Sequence, residues 1–273
     1  MLFMPELAEV EYYRRQWTVP DNCRVERVAL HAAKRLFRDV DTDRLCSGLV
    51  GQTMTLSATH GKQMYFRFGD QYWIGVHLGM TGKLRMEGAG FLPGKHDHLV
   101  LYCEGGHTLV FSDPRMFGRV RFAVGNSEPD WIAGLPPEVL SEGFTYERMS
   151  EFLERRGKAP IKAVLLMQEM FPGIGNWMAD EILWRARIAP GTRAGQIGSR
   201  YRRELYARIK EVCEDAMAVI APDWATPPDR WLFNHRWQDG GTCPQTGALL
   251  VREEIGGRTT CWSPKWQRYR GRG

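Results

Sequence analysis

The chain reads as an α+β protein: an N-terminal β-sandwich headed by a helix, then a helical domain, then a small C-terminal β-hairpin. Three observations predict this. Between Arg24 and Val124, short β-type runs at 64–68, 72–77, 99–103 and 108–111 are broken by Gly, Asp and Pro, at intervals that suit an antiparallel sandwich or barrel. Beyond residue 138 the apolar pattern turns helical. Two last runs, 249–253 and 258–262, flank Ile255-Gly256-Gly257 as a hairpin. A chain of 273 residues is long enough to bury a real core.

Taken in order, residues 7–17 form the leading helix, with Leu7, Val10, Tyr13 and Trp17 on one face. The β-rich region follows. Pro129, Gly134, Pro136 and Pro137 mark a linker. Helices are expected over 145–155, 162–170, 177–187 and 199–220, with Thr145 and Ser199 as N-caps. A Pro-rich break at 222–228 precedes the hairpin. The expected domains are 1–130, 138–222 and 229–273, with no internal repeat.

Composition narrows the function classes. The formal charge of +5 is a mild basic bias, compatible with a polyanionic partner. Arg258, Lys265, Arg268, Arg270 and Arg272 interleave with Trp262, Trp266 and Tyr269. This pattern suits phosphate contact and base stacking, or a solvated tail. No apolar run reaches the ~18 residues of a membrane span, and the opening segment lacks a secretory pattern. The six cysteines are scattered, none in a CxxC, which argues for a reducing compartment rather than a disulfide framework.

The first chemical motif is Met4-Pro5-Glu6-Leu7-Ala8-Glu9-Val10-Glu11. Removal of a methionine before Pro5 leaves a secondary amine, a nucleophile toward an aldehyde-like carbon. Glu6 beside it suits a general acid. The same residues also suit a plain helix start, with Pro at its first position and acids in its first turn. Further along come His60-Gly61-Lys62, His77-Leu78-Gly79-Met80-Thr81-Gly82, Lys95-His96-Asp97-His98, Asp113-Pro114-Arg115-Met116-Phe117-Gly118, Ile161-Lys162 and Gly173-Ile174-Gly175-Asn176. The last is a Gly-rich turn feeding a helix N-terminus, which offers N–H groups to an anion or simply joins two helices.

In this order and register the segments resemble the formamidopyrimidine-DNA glycosylase / endonuclease VIII family, from Met4 to about Gln267. The resemblance implies a base excision repair DNA glycosylase that removes oxidised bases from duplex DNA and nicks the strand by β- or β,δ-elimination. It implies Pro5 as nucleophile, Glu6 as acid, Lys62 as an aid to elimination and Arg258 as the finger arginine. It implies Met80, Arg115 and Phe117 as the side chains that fill the gap left by an extruded base, although Met80 and Phe117 also suit a β core. His96, Arg156, Lys162 and Asn176 correspond to phosphate contacts, and the middle domain to a helix–two-turn–helix element. The partner implied is damaged double-stranded DNA, met by a monomer without a membrane, in a bacterial-type cytoplasm.

Two departures stand out. The family's C-terminal zinc finger uses two CxxC pairs, whereas here only Cys243 and Cys261 are present, with Thr246 and Pro264 where the other thiols belong. No zinc and no other cofactor is therefore expected, and the hairpin is expected to rest on Trp262 and Trp266 packed against Leu249 and Ile255. Four residues also precede Pro5, so initiation at Met4 is expected. If Met1 is retained, Pro5 has no free amine and the chain is a non-catalytic DNA-binding relative. An unrelated basic β-rich module is the third reading. Lesion choice stays open: Met80, Arg115 and Phe117 suit oxidised purines, while the short segment 221–231 suits oxidised pyrimidines.

Overall fold

A computed structural model describes residues 4–271. Met1 and Arg272, named above, lie outside the described residues. The chain divides into two compact units, one of residues 1–5 and 9–135, the other of residues 6–8 and 136–273.

The elements of the first unit begin with α1 (Leu7–Arg15), whose first two residues fall to the second unit. Then come β1 (Val25–Leu30), α2 (Thr42–Leu49), β2 (Met54–His60), β3 (Gln63–Phe68), β4 (Tyr72–His77), β5 (Lys83–Glu87), β6 (Asp97–Cys103), β7 (His107–Ser112), β8 (Arg119–Val124) and the single turn α3 (Asp130–Ala133). Two four-stranded antiparallel sheets form, β1-β6-β7-β5 and β2-β3-β4-β8. In β3 the period-two alternation buries Met64, Phe66 and Phe68. They join Leu99, Leu101, Leu109 and Phe111 in one core. Trp17 closes that core, its ring 4.9 Å from Phe66 and its Nε1 donating to the Val110 carbonyl at 3.1 Å. The expected sandwich and its leading helix are present. The sequence reading did not single out α2, which Asp41 caps by accepting from the Arg44 N–H at 2.9 Å.

The second unit holds α4 (Tyr146–Arg155), α5 (Ile161–Leu165), α6 (Asn176–Arg185), α7 (Ser199–Val219), β9 (Val251–Ile255) and β10 (Arg258–Trp262). Thr145 caps α4 as expected, accepting from the Arg148 N–H. Ser199 does not cap α7; it is the first helical residue, and Gly198 stands at the cap. The helix expected over 162–170 stops at Leu165. The Gln168 side chain replaces the continuing ladder: it donates to the carbonyls of Leu166 and Ile174 and accepts from the Gly173 N–H. Helix α6 is buried from Trp177 through Trp184, so its two acids, Asp180 and Glu181, need partners inside the protein.

The hairpin turns through Gly256 (φ 62°) and Gly257 (φ 75°), a conformation that glycine adopts without penalty. Its packing differs from expectation. Leu249, bridged to Thr242 ahead of β9, is 69% exposed. Leu250 packs instead, with Trp184, Leu232, Cys243 and Cys261, and Trp266 lies against this cluster.

Candidate active site

Pro5 is buried, two residues ahead of the start of α1. Lys62 occupies the two-residue turn Gly61-Lys62 between the paired residues His60 and Gln63. Gly61 takes φ 58° there, and Lys62 is half-buried. His77 is paired with Gln63 across the sheet. Burial pushes its imidazole below the usual range, and the charges of Lys62 and Arg121 push the same way. Its Nδ1 accepts from the Gly79 N–H at 3.1 Å.

The structure brings Met80, Arg115 and Phe117 together on two neighbouring loops. Loop 78–82 closes with the Gly82 N–H on the Leu78 carbonyl. Loop 113–118 is tied to it by Asp113, which is fully buried. One Asp113 oxygen accepts from the Thr81 hydroxyl at 2.6 Å and the other from the Gly118 N–H at 2.7 Å. Gly79 (φ 63°) lets the loops touch, since a Cβ there would strike the Phe117–Gly118 peptide. Phe117 stands 46% exposed, stacked between Arg115 and Arg35 at 4.8 and 4.9 Å. It is not a core residue; Met80 is half-buried. His96, also half-buried, borders this loop, its carbonyl accepting from the Asp113 N–H. Asp113 and Thr81 were visible only as motif letters, because a buried acid reveals its partners only in three dimensions.

In the second unit, the Glu6 carboxylate sits at the N-terminus of α6. It accepts from the N–H groups of Gly175 (2.9 Å), Trp177 (2.9 Å) and Met178 (3.1 Å). These are donors that a helix start leaves unpaired. A side chain at Gly175 would overlap the Glu6 carboxyl, which explains the glycine. Asn176 is half-buried, and its Nδ2 donates to the Thr259 carbonyl at 2.9 Å. Arg156 is exposed and paired with Glu169 at 2.5 Å. Arg258 is exposed at the start of β10.

Lys162 is the exception. It has no exposed surface, and its Nζ donates to Asp180 at 2.5 Å and to the Asn176 carbonyl at 2.6 Å. Burial pushes its ammonium below the usual range, while Asp180 opposes the shift. An ammonium committed to two internal acceptors is not a surface phosphate contact, so the expectation for Lys162 is corrected.

The finger also needs a correction. Two turns repeat one pattern: the Cys243 carbonyl accepts from Thr246 and Gly247, and the Ser263 carbonyl accepts from Trp266 and Gln267. The second knuckle is therefore Ser263–Trp266. Cys261 and Pro264 do not form it, because Cys261 and Trp262 still belong to the β10 ladder. A zinc ion would meet one thiol, two hydroxyls and an indole whose N–H is already given to the Trp184 carbonyl. That donor set does not fit a structural zinc, and among the described residues no group of three His, Cys, Asp or Glu gathers for a metal. Burial raises the Cys243 thiol, but donors outweigh it and hold the thiol below its ordinary value. The largest are the Thr246 hydroxyl and the Trp184 Nε1, which lies 3.4 Å from the sulfur. The buried Ser263 hydroxyl adds to this without a well-formed hydrogen bond of its own.

Comparison with known proteins places this arrangement. Residues 4–120 match the formamidopyrimidine-DNA glycosylase N-terminal domain and residues 135–223 the formamidopyrimidine-DNA glycosylase H2TH domain. The formamidopyrimidine-DNA glycosylase of Roseiflexus sp. is 32% identical over 97% of this chain and all of its own length. That of Alkalilimnicola ehrlichii is 33% identical with the same coverage. The formamidopyrimidine-DNA glycosylase of Arabidopsis thaliana is 29% identical over 98% of this chain and 72% of its own. Among solved structures, MutM in complex with DNA containing carbocyclic 8-oxo-G superposes with a TM-score of 0.85 at 26% identity, covering 97% of this chain and all of that one. The Lactococcus lactis enzyme with abasic-site DNA gives 0.84 at 26% identity, covering 96% of this chain and 99% of that one. The chain belongs to the formamidopyrimidine-DNA glycosylase family.

Proposed function

We infer that this protein is a base excision repair DNA glycosylase and abasic-site lyase that removes oxidised bases from duplex DNA. The observation that carries the reading is the Glu6 carboxylate, held by three N–H donors at the start of α6 and joined in sequence to Pro5. Every donor in that cradle needs an acceptor, so Glu6 enters the reaction able to take up a proton.

In the chemistry proposed, the Pro5 amine gives its proton to Glu6 and attacks the sugar C1′. The glycosidic bond breaks, and the base leaves with its electron pair. Glu6 passes the proton to the ring oxygen as the sugar opens to an iminium. Loss of a C2′ proton then expels the 3′-phosphate, with Lys62 steadying the developing charge on the backbone. Arg258 assists the second elimination. Met80, Arg115 and Phe117 occupy the gap left by the extruded base. His96, Arg156 and Asn176 contact phosphates. The protein works where DNA is kept in a reducing compartment, consistent with six free cysteines. No helix among the described residues is long and apolar enough to cross a membrane.

Borohydride trapping on abasic-site DNA tests this, using protein begun at Met4 and protein begun at Met1. A covalent adduct with the Met4 form alone establishes a free Pro5 amine as the nucleophile. No adduct with either form, with DNA binding intact, makes the chain a non-catalytic binder of damaged DNA.

A further inference from the structure

We infer that Asp180 is a positioning residue that couples the cradle of Glu6 to the hairpin carrying Arg258. The inference rests on the proposed lyase function for its kinetic consequences, but its structural content stands alone.

Three segments converge on this one carboxylate of α6, which is 1% exposed. Its Oδ1 accepts from Lys162 at 2.5 Å. Its Oδ2 accepts from the Arg236 guanidinium at 2.5 and 3.1 Å and from the Cys261 N–H at 3.0 Å. Cys261 lies in β10, three residues from Arg258. Lys162 also holds the Asn176 carbonyl in the first turn of α6, the turn whose N–H groups hold Glu6. Asn176 in turn reaches across to Thr259, next to Arg258. One continuous set of hydrogen bonds thus runs from the Glu6 cradle through α6 to the hairpin. The hairpin has no metal-ligand set to fix it, so its placement depends on this buried charge. Arg236 is nine-tenths or more buried and bonds twice to the Oδ2 that also accepts from the Cys261 N–H, so it holds the carboxylate oxygen on which the hairpin rests.

The test compares Asp180→Asn and Arg236→Gln with the wild type by hydrogen exchange of residues 251–262 and by single-turnover kinetics. Arg236→Gln leaves the Lys162–Asp180 pair in place. It is expected to speed exchange in the hairpin by about tenfold or more and to cut the share of β,δ-product severalfold, with base excision near wild type. Asp180→Asn is expected to do the same and also to slow base excision by about tenfold, with DNA affinity changing less than the rate. Folded variants with wild-type exchange and an unchanged product ratio overturn the inference. If Asp180→Asn does not fold, Arg236→Gln decides the matter alone. If the wild type excises nothing, the proposed function fails, and the exchange measurement still judges the coupling.

Discussion

Two parts of the molecule each display an arginine from a segment anchored on one buried aspartate, and they do it by different physics. In the first unit, Asp113 holds the loops of Arg115 and Phe117 through two neutral donors, a backbone N–H five residues on and a hydroxyl 32 residues back in sequence. In the second, Asp180 holds the hairpin of Arg258 through two cations and an amide 81 residues away in sequence. The first anchor needs only two neighbouring loops and is fixed as soon as they form. The second needs α5, α6, the segment at Arg236 and β10 to arrive together, so it joins distant parts of the chain but is exposed to any change in buried charge.

Breaking the local anchor has the largest expected effect. Asp113→Ala leaves the Gly118 N–H and the Thr81 hydroxyl without their acceptor in a buried site, at a cost of roughly 2–5 kcal/mol. Denaturant unfolding measures it. Excision from duplex DNA should fall by about a hundredfold, because the gap-filling side chains lose their common frame. Nicking at an abasic site in single-stranded DNA, where no base must be extruded, should change little. Equal loss on both substrates would remove the wedge assignment.

Phe117→Ala separates presentation from anchoring. The ring is 46% exposed, so stability should move by less than about 1 kcal/mol. Duplex excision should still drop by roughly tenfold, because the variant no longer offsets the unstacking cost. An unchanged rate on duplex with a stable lesion pair would return Phe117 to the status of a surface residue.

These two regions also mark what the sequence revealed. The β runs, α4, α7 and the glycine turn of the hairpin were readable, because hydrophobic period and φ > 0 requirements are local properties; the stretch read as a linker holds α3 (Asp130–Ala133). Met80, Arg115 and Phe117 were readable as motif letters. Lys162 was misread because nothing local distinguishes an exposed lysine from one buried against Asp180, which lies eighteen residues on in sequence. The second knuckle was misplaced because pairing by cysteine letters pointed to Cys261, whereas the turn geometry selects Ser263 and Trp266. Asp180 was readable only as a letter of the segment Ala179-Asp180-Glu181 that follows Asn176, because its partners Lys162, Arg236 and Cys261 meet it only in the fold.

The knuckle assignment can be sharpened directly. Thr246→Cys, Ser263→Cys and Trp266→Cys together with Cys243 should create a site for one zinc, read by metal stoichiometry and by the visible spectrum of its cobalt form. Thr246→Cys with Pro264→Cys, which pairs the thiols as the sequence letters suggested, should bind none. Zinc in the second variant and not the first would restore Cys261 to the finger. The triple variant also asks whether a metal can take over from Asp180: with zinc bound, hairpin exchange in the Arg236→Gln background should slow back toward the wild-type rate.

The smallest expected effect concerns His77, beside Lys62. Burial holds its imidazole below the ordinary value of 6.5, and the charges of Lys62 and Arg121 push the same way. The folded protein therefore binds this proton less readily than the unfolded chain does. Stability from this group is complete above the unfolded value and is lost as pH falls below 6.5 toward the lower folded value. Protonation also converts the Nδ1 acceptor of the Gly79 N–H into a donor, so acid loosens the start of the Met80 loop as well. His77→Gln keeps an acceptor of similar reach and carries no proton to take up. Urea midpoints at pH 7.5 and 5.5 should converge for the variant relative to the wild type. Identical slopes would mean that other groups set the acid sensitivity, and that the turn around Gly79 holds without the imidazole.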